Sequence, residues 1–261
     1  SPMDRGFLFG DGIYEVIPTY SGNPVGFIGH TSRMAQGLKA IEIANPYTVE
    51  EWQVILSSLV EKNLAFIESE NIGIYFHVSR GADTKRFHAY PKNIAPTVFG
   101  FTFEIAPPQP TAKEDAKPFK VALEQDKRWQ RCHIKSTSLL GNVMHYQAGV
   151  DAGVNETILY NSEGMITEAS SCNVFIVKDG CISTPPLNHE LLPGITRAIA
   201  IEAFKQSLKV NNALTEAHYQ IAQIQLMQKN RDSALDSIES AIKAAPTNLM
   251  YQDFRNKILD S

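Results

Sequence analysis

The segment PPQPTAKEDAKP, which starts at residue 107, constrains this chain more than any other stretch. Four prolines among polar residues can continue neither a helix nor a central strand. Residues 107–117 therefore read as an interdomain linker. A small α+β domain is expected over 1–106 and a larger strand-rich domain over 118–207. Beyond residue 213 almost no strand signal remains, which predicts a helical tail over 208–261.

In the first domain, IYEVIPTY (13–20) and VGFIG (25–29) read as a β-hairpin closed by SGNP. A helix is predicted over HTSRMAQGLKAIEI, where Met34, Leu38 and Ile41 recur at helical spacing. A second is predicted over TVEEWQVILSSLVEKN, with Thr48 as cap and Glu51 three residues later. Alternation and aromatic content make IGIYFHVSRG (72–81) and PTVFGFTFEIA (96–106) strands. The second domain runs from FKVALEQD to CISTPP, dense in strands, with turn signals NSEG and KDG; the lysine-bearing RCHIKSTSLL (131–140) is read as strand-like, and a helix follows Gly194.

Within the tail, Ala222, Ala234 and Ala241 fall where two antiparallel helices would touch, and Pro246 closes the second helix. Tyr219, Ile221, Ile224, Leu235, Ile238 and Ile242 would fill the pair, and YQDFRNKILD begins a further helix. The pattern resembles a tetratricopeptide repeat, although an amphipathic hairpin gives the same spacing. One such repeat must pack on something else to be stable.

A formal charge of −4 and the lack of any Lys/Arg block argue against a nucleic-acid partner. Three irregularly spaced cysteines supply neither a disulfide framework nor a paired metal-ligand pattern, so no metal is expected and the setting reads as cytoplasmic. No apolar run approaches the roughly 20 residues a membrane span needs. The opening SPMDRG reads as the inside of a longer frame.

Four short segments carry the candidate chemistry. RCHIKSTSLL holds Lys135, EASSCNVF holds Glu168 at a strand edge, LLPGITR puts a glycine and a threonine at a helix start, and HTSR holds Arg33. Singly, each has a bland explanation: a solvated charge or an ordinary cap. Jointly they offer an amine for a Schiff base, an acid for a ring nitrogen, and a helix N-terminus with an arginine for a phosphate. Asn142 and His145, just after the lysine, read as helix and packing residues.

FGDGIYEV, HTSR, RWQRCHIKSTSLLGN, ITEASSCNVF and LLPGITR, in that order over residues 1 to about 206, resemble the fold-type IV pyridoxal-phosphate aminotransferases. That family includes D-amino-acid and branched-chain aminotransferases and aminodeoxychorismate lyase. The resemblance implies a small α/β domain plus a larger barrel-like β domain, pyridoxal 5'-phosphate as cofactor, and a homodimer. It makes Lys135 the Schiff-base lysine and Glu168 the partner of the pyridine nitrogen. Arg33 and the amides and hydroxyl of Ile195 and Thr196 would hold the phosphate, with Leu192 against the ring and Ser171 in the nearby network. SRGADTKRFHAYP resembles the carboxylate trap of D-amino-acid aminotransferases, with Arg86 and His88 as the pair, Tyr14 as a third donor and Val16 beside it on the strand. The implied reaction is transfer of the amine of a D-amino acid such as D-alanine to a 2-oxo acid such as 2-oxoglutarate. After about residue 206 the family pattern continues with strands and a Ser/Thr-rich loop that contacts the phosphate, where this chain has its helical repeat. The domain is thus expected to be incomplete at that end. Other readings are a branched-chain L-amino-acid aminotransferase, an aminodeoxychorismate lyase, or an impaired fold whose tail binds a protein partner.

Overall fold

A computed structural model describes residues 1–108, 113–178, 181–210, 215–227 and 230–260. Residues 109–112 of the expected linker and the KDG turn at 179–180 lie outside the described residues. Two compact units are present, Ser1–Lys120 with Ile134–Met144, and Val121–His133 with His145–Ser261.

The first unit is a four-stranded antiparallel sheet of β1 (Gly12–Tyr20), β2 (Asn23–Pro24), β3 (Asn71–Ser79) and β4 (Thr97–Glu104) in the order β2-β1-β3-β4. Helices α1 (Arg5–Phe9), α2 (Phe27–Ala40) and α3 (Val49–Asn63) accompany it. Alternation along β1 sends Ile13, Glu15 and Ile17 into the core and leaves Tyr14, Val16 and Pro18 half-buried on the opposite face. Ile13 and Ile17 pack with Met34 and Leu38 of α2, Trp52 of α3, and Ile74, Phe76 and Val78 of β3. On the other face Tyr14, Tyr75 and Phe101 stack across three strands, and Phe99, Phe101 and Phe103 line edge strand β4. A Cβ at Gly73 would stand 2.5 Å from the Phe103 ring, so a side chain there would displace that ring.

The predicted α3 and its cap are present as a reciprocal capping box between Thr48 and Glu51. The hairpin differs from expectation. VGFIG is not a strand: β2 stops at Pro24, and Gly26, in the left-handed region at φ 67°, turns the chain into α2 at Phe27. Nor is RCHIKSTSLL a strand. It is an irregular segment joined to β1 by one bridge between Ile13 and Ser136, with the Tyr14 amide donating to the Lys135 carbonyl at 3.0 Å.

In the second unit β5 (Val121–Gln125) runs parallel to β6 (Glu156–Tyr160), which pairs antiparallel with β7 (Ile166–Ala169). Strands β8 (Ile176–Lys178) and β9 (Cys181–Ser183) pair only with each other, so the expected barrel does not close among the described residues. Helix α4 (Leu140–Asp151) bridges the division into units. In the second unit its His145 is a packing residue: the ring lies 2.8 Å from Glu124 through Nδ1, and Nε2 accepts the Lys127 amide. Helix α5 (Ile195–Val210) precedes the tail helices α6 (Thr215–Met227), α7 (Arg231–Ala244) and α8 (Leu249–Asp260). Ala222, Ala234, Ala241 and Ile238 are wholly buried among them with Tyr219, Tyr251 and Ile258. Helix α6 also lies against β9. No helix among the described residues is long and apolar enough to cross a membrane.

Candidate active site

In the first unit Lys135 is poised on Tyr14. Its Nζ donates to the Tyr14 hydroxyl at 3.2 Å and stands 4.3 Å from the ring centroid. Tyr14 is held in turn by stacking on Tyr75, whose hydroxyl lies 3.0 Å from His77 Nδ1. Val16 shares the Tyr14 face of β1, as alternation requires.

Arg33 is not a solvated charge. Its Nε and Nη2 each donate at 2.7 Å to Glu15, a carboxylate with no exposed surface that also meets His30 Nδ1 at 2.7 Å. Burial alone would push the Glu15 carboxyl up, but the hydrogen bonds from Arg33 and His30 hold it below the ordinary carboxylate range. Sequence reasoning missed Glu15. Its signal was a carboxylate at a core-facing position between Ile13 and Ile17, where only a buried cation makes it tenable.

Arg86 and His88 occupy one exposed loop. The Arg86 guanidinium lies 5.2 Å from the Phe9 ring centroid and the His88 ring 5.4 Å from it, so both are brought to one aromatic platform. The hydroxyl of Tyr14, the expected third donor, meets Lys135 Nζ.

In the second unit Glu168 is buried. Its Oε1 accepts Arg128 Nη1 at 2.6 Å, and its Oε2 accepts the Leu192 amide at 3.0 Å and Asn173 Nδ2 at 3.2 Å. Burial raises the Glu168 carboxyl, and Arg128 opposes the rise. Arg128 also holds Asp126 through Nε and Nη2, a pairing that keeps the Asp126 carboxyl low against its own desolvation. Arg128, Asp126 and Asn173 were not foreseen. The sequence D-K-R offers no sign that its first and last charges turn inward together. Ser171 donates at 2.5 Å to buried Glu156, which Ser170 also contacts. Gly194, just ahead of α5, leaves no room for a Cβ beside the Asn173 side chain, and Ile195 and Thr196 open the helix. A cleft of about 270 Å³ in this unit, bordered by Asn161, Thr167, Thr184, Pro185 and Glu190, contains none of the expected site residues.

The model for the aminotransferase class IV family matches residues 12–235. This chain belongs to the class IV aminotransferases. The match continues past residue 206 into α7, beyond the stretch where the sequence motifs lie. A D-alanine aminotransferase from Staphylococcus haemolyticus is 36% identical over 197 residues, covering 75% of this chain and 67% of that protein. Among solved structures, a putative 4-amino-4-deoxychorismate lyase from Legionella pneumophila superposes with a TM-score of 0.68 at 22% identity, over 79% of this chain and 73% of that one. A hypothetical aminotransferase from Mycobacterium tuberculosis in its PLP-bound form gives 0.66 at 17% identity, over 79% and 72%. At those identities the likeness concerns the fold. The class IV chain is a pyridoxal-phosphate-dependent aminotransferase, and Glu168 suits that cofactor. A carboxylate has about four lone-pair positions, and three donors approach this one. A protonated ring nitrogen is the kind of donor the remaining position can take.

Proposed function

We propose that this aminotransferase transfers the amino group of a D-amino acid such as D-alanine to a 2-oxo acid such as 2-oxoglutarate. The observation that carries this reading is the loop on which the Arg86 guanidinium and the His88 ring both lie near the Phe9 ring, an arginine and an imidazole on one loop as donors for a carboxylate. The 36% identity to a D-alanine aminotransferase supports it.

When bound, pyridoxal phosphate supplies an electron sink for the pair released at the substrate Cα. Lys135 is the residue that tethers the cofactor and, once freed, carries the proton from Cα. Its seat on Tyr14 fixes where the amine waits. Glu168, whose carboxyl burial raises and Arg128 opposes, would hold a proton on the ring nitrogen. Ile195 and Thr196, at the start of α5, offer amides and a hydroxyl to the phosphate. What Arg33 offers there is chiefly charge, since one edge of its fork is already bidentate to Glu15. Leu192 would lie against the ring, and Ser171 would belong to the surrounding network through Glu156. Tyr14 would add a third donor for the substrate carboxylate, and Val16, on the same face of β1, would border the side-chain pocket.

Arg86→Ala removes a charged donor from the carboxylate and should raise KM for D-alanine roughly tenfold to a hundredfold, by the usual worth of hydrogen bonds to charged groups. It should also narrow the D-to-L preference. Steady-state kinetics with both enantiomers check this, and an unchanged KM with unchanged preference would remove the carboxylate role.

The reading includes a homodimer, for which the exposed row of Phe99, Phe101 and Phe103 is suitable surface. It also treats the tail as a tetratricopeptide-like repeat able to dock a protein partner. The wholly buried small residues Ala222, Ala234 and Ala241 support that assignment.

A further inference from the structure

The loop carrying Arg86 and His88 exposes Arg86, Phe87, His88 and Tyr90, so little burial of its own holds it in place. The restraint comes from elsewhere. Arg5, only 3% exposed, donates from Nη1 to the Phe87 carbonyl at 2.6 Å and from Nη2 to the His88 carbonyl at 3.1 Å. Its Nε is fixed on Asp11 at 2.8 Å, and its guanidinium lies 4.8 Å from the same Phe9 ring that carries Arg86 and His88. Asp11 is shared with Arg80, which clamps it bidentately and covers the Tyr90 ring at 3.5 Å. The root of the loop is tied to the same N-terminal segment, the Arg5 amide donating to the Gly81 carbonyl and the Asp83 amide to Met3.

We infer that Arg5, with Phe9 as its platform, is a positioning residue for substrate recognition: it fixes the backbone of the Arg86 and His88 pair so that both donors meet one carboxylate. The inference rests on the carboxylate reading given above. Only an arginine can do this. A planar fork reaches two adjacent carbonyls and Asp11 at once, whereas the point charge of a lysine cannot. Donors that no longer meet the carboxylate together lose hydrogen bonds to a charged group, which weakens binding roughly tenfold to a hundredfold.

The test is Arg5→Lys in the holoenzyme, assayed with D-alanine and with D-alaninol, which lacks the carboxylate. The expected result is a rise of roughly tenfold or more in KM for D-alanine, with kcat and turnover of D-alaninol unchanged. Tryptic cleavage after Lys85 and Arg86 should become several times faster as the loop is released. Phe9→Leu, which removes the platform but keeps the apolar contact, carries the same expectations should Arg5→Lys fail to fold. Equal losses for the two amines, or an unchanged KM for D-alanine, would overturn the inference. Arg86→Ala run in parallel separates the causes. If it weakens D-alanine binding and Arg5→Lys does not, the positioning role alone falls; if Arg86→Ala has no effect, the carboxylate reading falls and takes the positioning role with it.

Discussion

Replacing Lys135 with alanine is expected to slow transamination on the order of ten-thousandfold, the upper range for loss of a positioned proton carrier, compounded here by loss of the cofactor's tether. The fold should survive the change. The segment is held to β1 by main-chain hydrogen bonds, from the Tyr14 amide to the Lys135 carbonyl at 3.0 Å and from the Thr137 amide to the Gly12 carbonyl at 2.9 Å, and neither needs the lysine side chain. Single-turnover kinetics with D-alanine, alongside thermal unfolding of both proteins, make the comparison. A rate within tenfold of the parent would mean that another group moves the proton.

The second large effect concerns stability. Arg128→Leu is expected to cost about 3–5 kcal/mol, because it leaves Glu168 and Asp126 as buried carboxylates without their cation. The pH dependence follows from the directions of the two shifts. Asp126 is held low by Arg128, so in the parent its pairing stabilises above the ordinary carboxylate range and fades as pH falls. Glu168 is already raised by burial, and without Arg128 it rises further. A carboxyl raised in the folded state favours the fold when protonated and loses that advantage as pH climbs. The variant's deficit should therefore be largest at neutral pH and shrink towards pH 5 in urea titrations. A deficit independent of pH would point to lost packing as the cause.

Local, directional patterns were the most legible. Thr48 and Glu51 announced the start of α3 because a capping box is complete within four residues. The start of α2 was not legible: VGFIG alternates like a strand, and only the left-handed backbone at Gly26 turns it into a helix. Motif order pointed to Lys135, Glu168 and the opening of α5 as candidates, but gave no sign of the side chains that surround them. Glu15, Arg5, Asp11 and Arg128 owe their roles to partners distant in sequence, Arg5 and His88 lying 83 residues apart. A charge gives no sign of such a partner until the chain is folded. The barrel expected of the second domain illustrates the same limit, since which strands pair depends on long-range register.

The proposed service of Lys135 to pyridoxal phosphate, in a reaction selective for D-amino acids, is tested most directly by the absorption spectrum of the purified chain mixed with pyridoxal phosphate, followed by L-alanine and then D-alanine. The account predicts a band displaced from that of the free cofactor, absent in Lys135→Ala, unchanged by L-alanine and bleached by D-alanine. A band that forms equally in Lys135→Ala, or that L-alanine bleaches as readily as D-alanine, would contradict it.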